Sequence, residues 1–218
     1  MGWSRCSFEV WTLRGSDGKG LGMGKVVAME HLTLDGVMQA PGHADEDPRG
    51  GFRHGGWAAE RQDPAMQRAM GARMSDTWSL LVGRVTYARF WDYWPKQPPN
   101  PVTDAFNRVQ KYVVSTTMTD PLPWAGSTLL DGDAGEAVAE LKMQRDENLV
   151  IFGSGALVRS LLRDRLVDEM VLMIHPILLG SGVRLFAEDG DELTAFDLVD
   201  SVTTGNGVFV GTYVLAKS

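Results

Sequence analysis

Three stretches of this chain place small or hydroxylic residues directly after a short apolar run. In the first, Leu149 to Phe152 stops at Gly153-Ser154-Gly155-Ala156, and helical spacing resumes at Leu157, Val158, Leu161 and Leu162. That reads as a strand, a tight turn and a helix start. A turn of this kind presents backbone N–H groups at the positive end of a helix dipole, where a phosphate binds well. The second, Leu80-Leu81-Val82, runs into Gly83, Arg84, Val85, Thr86 and Tyr87. The third, Val113-Val114, is followed by the hydroxyls of Ser115, Thr116 and Thr117. Each also has a plain reading, with Arg84 a solvated helix residue, Thr86 a backbone cap and Ser115 to Thr117 a turn. Ligands of open α/β sheets sit outside the carboxyl ends of the strands, so the three together point to one phosphate-rich ligand.

Other side chains could act on a substrate beside it. Asp35 follows the first strand in an Asp-Gly pair, either as a turn cap or as a carboxylate in the ligand cleft. In the cleft, desolvation near Trp57 would raise its pKa and keep it useful as a proton donor near neutral pH. Trp57 reads as a lid residue stacking on a planar substrate or as a loop anchor. His54 reads as a polar loop residue, and His175, beside Pro176, as structural. No Gly-x-Ser-x-Gly elbow is present, and the single cysteine, Cys6, lies in the N-terminal stretch, so no covalent nucleophile is expected. His31, His43, His54 and His175 show no metal-ligand spacing, and no metal is expected.

The elements that must position these residues alternate. Strands are expected at Lys25 to Leu32, Trp78 to Val82, Lys111 to Thr116, Ser127 to Leu130 and Asn148 to Phe152. A long apolar strand interrupted by Pro176 is expected from Glu169 to Leu179. Helices are expected at about Glu60 to Ser75, with a start near Pro64, at Arg84 to Trp94, at Val102 to Val109, at Ala134 to Arg145 capped by Asp133, and after Gly155. Residues 41–57 read as a long functional or mobile loop. Gly205-Asn206-Gly207 between two β-rich runs signals an antiparallel hairpin. The pattern predicts an α/β fold, with a mostly parallel sheet, an antiparallel C-terminal edge and helices on both faces.

The chain has 218 residues, 21 basic and 28 acidic, for a net charge of −7. That length suits one well-buried domain or at most two small ones. The acidic balance, with no long Lys/Arg run, argues against nucleic acid as a partner. No apolar run is long enough to span a membrane, and a lone cysteine suits a cytoplasmic setting. Residues 1–24, rich in glycine, read as a flexible leader, or else as a docked N-terminal arm, before a domain at 25–218.

An ordered series of motifs resembles the dihydrofolate-reductase-like superfamily. The similarity is to the group related to the C-terminal reductase domain of the bifunctional riboflavin-biosynthesis deaminase–reductase. The series is Leu34-Asp35-Gly36-Val37, His54-Gly55-Gly56-Trp57, Leu81 to Tyr87, Trp94-Pro95, Lys111 to Thr116, Phe152 to Val158, Leu166-Val167-Asp168-Glu169 and Pro176 to Gly182. It covers residues 25–215. The resemblance implies a dihydrofolate-reductase-like mixed sheet, a homodimer and an NADPH-dependent reductase of a small pteridine- or pyrimidine-like heterocycle. It places Gly83, Arg84 and Thr86 at the cofactor's phosphates or nicotinamide side. Ser115 and Thr116 would lie near the adenosine ribose and its 2′-phosphate, and Gly153, Ser154, Gly155 and Ala156 at the pyrophosphate. Trp57 and Asp63 are the substrate-binding candidates, and Asp35 the catalytic one. The family carries an acidic residue before the glycine pair; Phe152 stands there instead. The competing reading is a non-catalytic nucleotide-binding sensor or scaffold of the same fold.

Overall fold

The structure, a computed structural model, describes residues 24–74, 77–186 and 193–216. The expected leader, Gly24 apart, lies outside the described residues, as does Cys6.

The chain runs β1 (Val26–Thr33), α1 (Pro64–Gly71), β2 (Trp78–Gly83), α2 (Arg84–Tyr93), α3 (Pro101–Arg108), β3 (Lys111–Val114), β4 (Ser127–Leu130), α4 (Ala134–Gln144), β5 (Asn148–Phe152), α5 (Gly155–Arg163), β6 (Glu169–His175), β7 (Phe196–Thr203) and β8 (Phe209–Leu215). All eight strands form one sheet in the order β4-β3-β2-β5-β1-β6-β8-β7. The first six in that order are parallel, and β8 and β7 are antiparallel.

Central strands are apolar on both sides because helices cover both faces. Ala28, Leu81, Leu149 and Ile151 meet Val138, Leu141, Leu157, Val158 and Leu161 of α4 and α5. The alternate residues Val27, Met29, Val150, Val171 and Met173 meet Met66 of α1. Leu80, Val82 and Val113 meet Tyr87 of α2 and Phe106 of α3. Each such side chain contributes about 1.5–3 kcal/mol on burial. Crossovers that run from β1 toward β4 carry α1 and α2–α3 on one face. Those that run back carry α4 and α5 on the other, as a single crossover hand requires.

Local chemistry explains most helix starts. Asp63 accepts from Ala65 N at 2.7 Å, Asn100 from Val102 N and Thr103 N at 3.0 Å, and Asp133 from Glu136 N at 3.0 Å. Pro64 and Pro101 occupy the first helical positions. No side chain caps α2 or α5.

Several sequence expectations need correction. The first helix starts at Pro64, as that proline signals, with Asp63 as its cap; it ends at Gly71, short of the expected Ser75, and residues 59–61 form a separate 3-10 turn. β3 stops at Val114, where the Ser115 hydroxyl turns the chain. β6 stops at His175, since Pro176 cannot donate to the ladder. In the Leu166–Glu169 motif, for which the sequence suggested no role, the Asp168 carboxylate accepts from Val26 N at 2.7 Å and from Lys142 Nζ at 2.6 Å.

Candidate active site

The site is built where the sheet changes direction. From β2 the chain leaves toward β3 through α2; from the adjacent β5 it leaves the other way, toward β6, through α5. Neighbouring parallel strands whose connections diverge open a crevice at their carboxyl ends. Two uncapped helix N-termini meet there, and the first N–H groups of a helix have no partner within it.

The turn between them is held by hydroxyls. Gly83 N–H donates to Ser154 Oγ at 3.0 Å, and Ser154 N–H donates to Thr86 Oγ1 at 3.1 Å. Gly153 and Ser154 both have left-handed backbones, at φ 67° and 60°. That pair of conformations turns β5 into α5 with its N–H groups facing out, and it explains the glycine at 153. Gly155 has a different reason. A Cβ there would overlap Met38 Sδ, so any other residue would have to displace that side chain. Arg84, Ala156 and Thr116 are exposed. Ser115 is buried, and its Oγ accepts from Thr117 N at 3.1 Å and Met118 N at 3.0 Å. The structure therefore brings Gly83, Thr86, Gly153 and Ser154 into direct contact. Ser115 and Thr116 stand on the next strand end, beyond β2.

Asp35 caps backbone N–H groups, but those of the 179–180 segment rather than of its own turn. It accepts from Thr33 Oγ1 at 2.6 Å, Gly180 N at 2.8 Å and Leu179 N at 3.2 Å. Arg184 Nε donates to its backbone carbonyl at 2.8 Å. The Thr33 hydroxyl, with the Gly180 and Leu179 amides, lowers its pKa to about 2. The expected rise through desolvation is corrected: this carboxylate is held ionised by donors.

Residues 41–57 are an ordered cover. Trp57 Nε1 donates to Gln39 O at 2.7 Å, and Gln39 Nε2 donates to the carbonyls of Asp47 at 3.0 Å and Arg49 at 2.9 Å. Asp47 pairs with Arg49 at 2.7 Å and with Arg89 of α2 at 2.6 Å. Burial alone would push the Asp47 carboxyl up, but the two guanidinium groups outweigh it and hold it well below the usual range. His43 stacks on Tyr93 with centroids 4.7 Å apart. Asp63 caps α1 and also accepts from Gly205 N at 3.3 Å, joining α1 to the β7–β8 turn.

Two polar residues of β1 escaped the sequence reading. Glu30 is buried and accepts from the Gly153 backbone, but its Oε1 has no partner. Burial raises its pKa well above the ordinary value, which favours the neutral acid. His31 Nδ1 lies 2.9 Å from His175 Nε2 on β6, and the Trp57 ring meets His175 edge-on at 5.2 Å. The available signal was Glu30-His31 interrupting an otherwise apolar strand. No cluster able to hold a metal ion occurs among the described residues. Nor does any helix among them have the length and apolarity to cross a membrane.

This sheet order, with diverging helices at a polar crevice, defines a dihydrofolate-reductase-like α/β protein. Residues 25–210 match the RibD C-terminal domain, and the chain belongs to that family. It is 28% identical over 134 residues to YyaP of Bacillus subtilis (strain 168), covering 60% of this chain and 70% of that protein. It is similar to the crystal structure of a riboflavin biosynthesis protein from Shewanella sp. PV-4, with TM-score 0.63, 22% identity, and coverage of 88% of this chain and 99% of that one. It is also similar to dihydrofolate reductase from Enterococcus faecalis in complex with NADP(H), with TM-score 0.55, 14% identity, and coverage of 90% and 99%. Family membership supports a reductase of the RibD and dihydrofolate reductase type.

Proposed function

We propose that this protein is an NADPH-dependent reductase of a small planar heterocycle of the pteridine or pyrimidine kind. One observation carries the reading: the uncapped N-termini of α2 and α5 converge at the β2–β5 crevice, joined through Gly83, Ser154 and Thr86. The residues there fit a dinucleotide. Backbone N–H groups at the starts of two helices suit a pyrophosphate, and the left-handed Gly153–Ser154 turn has no Cβ at its first residue to block approach. In this reading Gly153, Ser154, Gly155 and Ala156 hold the pyrophosphate. Gly83, Arg84 and Thr86 line the second phosphate and the nicotinamide side. Ser115 and Thr116 lie toward the adenosine ribose and its 2′-phosphate. When bound, the cofactor supplies the hydride.

The chain's own residues orient and enclose. Trp57 and the ordered 41–57 cover exclude water from the α1 side of β1. Asp63 fixes α1 against the Gly205 turn, on the substrate side. Asp35 is a positioning residue: it ties the 179–184 segment to the end of β1. The test is a fluorescence titration with NADPH and NADH, followed by oxidation of the bound cofactor against a panel of pteridines, pyrimidines and small carbonyl compounds. The expected result is tight NADPH binding, weaker NADH binding, and turnover with a subset of the heterocycles. Failure of both cofactors to bind overturns the reading.

A further inference from the structure

We propose that His31 is a hydrogen-bond donor to the substrate: its Nε2–H, oriented by His175, reads a carbonyl oxygen or ring nitrogen of a planar heterocycle. This rests on the reductase reading above and names the group that recognises the substrate's polar edge.

Position comes first. His31 and His175 stand on adjacent strands, β1 and β6, where Thr33 pairs with His175 and His31 with Met173. Both share the face of Met29 and Met173, which α1 and Trp57 cover. The next strand on the other side is β5, in which Phe152 pairs with Met29. Gly153 of the cofactor turn follows it directly. The His31 ring is thus one strand from the site proposed for the dinucleotide.

The tautomer follows from a count of protons. His31 Nδ1 and His175 Nε2 are 2.9 Å apart, so one proton lies between them. His175 is fully buried, and its Nδ1 has no partner. If His31 donated from Nδ1, neutral His175 would carry its own proton on Nδ1, as an orphaned buried N–H. If His175 donates from Nε2, its Nδ1 is only an unused lone pair. Orphaned buried N–H groups are rarer than under-satisfied acceptors, and leaving a buried donor unmade costs about 1–3 kcal/mol. The second arrangement is therefore favoured, and it puts the His31 proton on Nε2. That atom makes no protein hydrogen bond and is not sealed from solvent, and His31 is half-buried.

The donor keeps its proton across the working range. Burial, with His175 beside it, lowers the pKa of His31 to about 3; burial, with the nearby Arg61 cation, lowers that of His175 to about 4. Both rings are neutral above those values. A neutral imidazole polarises an acceptor by hydrogen bonding and does not deliver a full proton to it.

The test uses the full chain. Nitrogen-edited NMR is expected to show His31 as the Nε2–H tautomer, without titration from about pH 5 to 8. With NADP+ present, adding pterin or uracil should shift that Nε2–H resonance. In turnover assays, His31→Phe should lower kcat/KM by about 10- to 100-fold, while His31→Gln, which keeps an N–H, should recover most of it. Cofactor affinity should be the same in both variants. An Nδ1–H tautomer, an unmoved resonance with both probes, or His31→Phe turning over like the parent overturns the proposal. The Gly153 and Ser154 amide resonances report separately on NADP+, so failure of the cofactor reading shows there and not at His31.

Discussion

At the scale of residues, two carboxyl groups, one in β1 and one just past its end, are held in opposite ways. Glu30 is buried with one oxygen unpartnered and a raised pKa, whereas Asp35 collects donors and has a lowered one. Their effects on stability have opposite signs. Native Glu30 holds its proton to higher pH than the unfolded chain, whose glutamates release it near pH 4.3 (about). Above that value the native state binds more protons, so stability falls as pH rises toward the folded pKa. Glu30→Gln keeps the shape and never ionises. Its melting temperature should exceed the parent's at neutral pH, by a margin that widens as pH rises toward the folded pKa; a margin constant from about pH 5 to 8 would contradict the raised pKa. Asp35 works the other way. Its contribution is complete above the unfolded carboxyl value, about 3.9, and is lost as pH falls toward about 2. Asp35→Asn keeps one acceptor oxygen but loses the charge and the second acceptor for the Leu179 and Gly180 amides. A cost of about 1–2 kcal/mol in denaturant unfolding is expected, with less than a tenfold change in turnover. Large loss of turnover without loss of stability would make Asp35 a proton donor after all.

At the scale of elements, the start of α5 separates packing from ligand binding. Gly155 faces Met38, while Ala156 is exposed beside the crevice. Gly155→Ala should therefore cost about 1–3 kcal/mol through overpacking, whatever it does to the cofactor. Ala156→Glu should leave the melting temperature unchanged or raise it slightly, since an acid near a helix N-terminus is favourable. The same charge opposes a phosphate, so NADPH affinity should fall at least about tenfold. Normal affinity in Ala156→Glu would remove α5 from the proposed site. The strand–turn–helix pattern at Gly153 was legible in the sequence because glycine and helical spacing are local signals. So was the helix cap Asp133; the capping role of Asp63, the substrate-binding candidate, was not. Asp35 and the His31–His175 pair were not legible. Their partners lie 144 positions away in sequence, and only strand pairing brings them together. The loop at 41–57 was legible as a loop, but its polar contacts to Gln39, Arg89 and Tyr93 were not.

At the scale of the whole molecule, insertion of β5 between β2 and β1 sets both the crevice and the sheet's edges. The apolarity of Met170 to Leu179 and Val208 to Leu215 in the sequence suggests strand edges that need covering. In the sheet β6 lies between β1 and β8, and β8 lies between β6 and β7, so neither is an edge. The long edge is β7, most of whose residues are exposed, with Leu198 and Val199 at 52% and 53%. Asp197 and Asp200 flank them, and the ladder is irregular between Leu198 and Asp200. Charges and a bulge of this kind discourage indiscriminate strand pairing, while two adjacent apolar side chains at the irregularity favour a specific contact. The homodimer implied by the family resemblance is therefore expected to use β7, by an isologous contact of two copies. Sedimentation at micromolar concentration should read a dimer. Leu198→Asp with Val199→Lys should give a folded monomer, because both side chains are largely exposed and their loss leaves no cavity. A parent chain that sediments as a monomer, or a double variant that remains a dimer, would remove β7 from the interface.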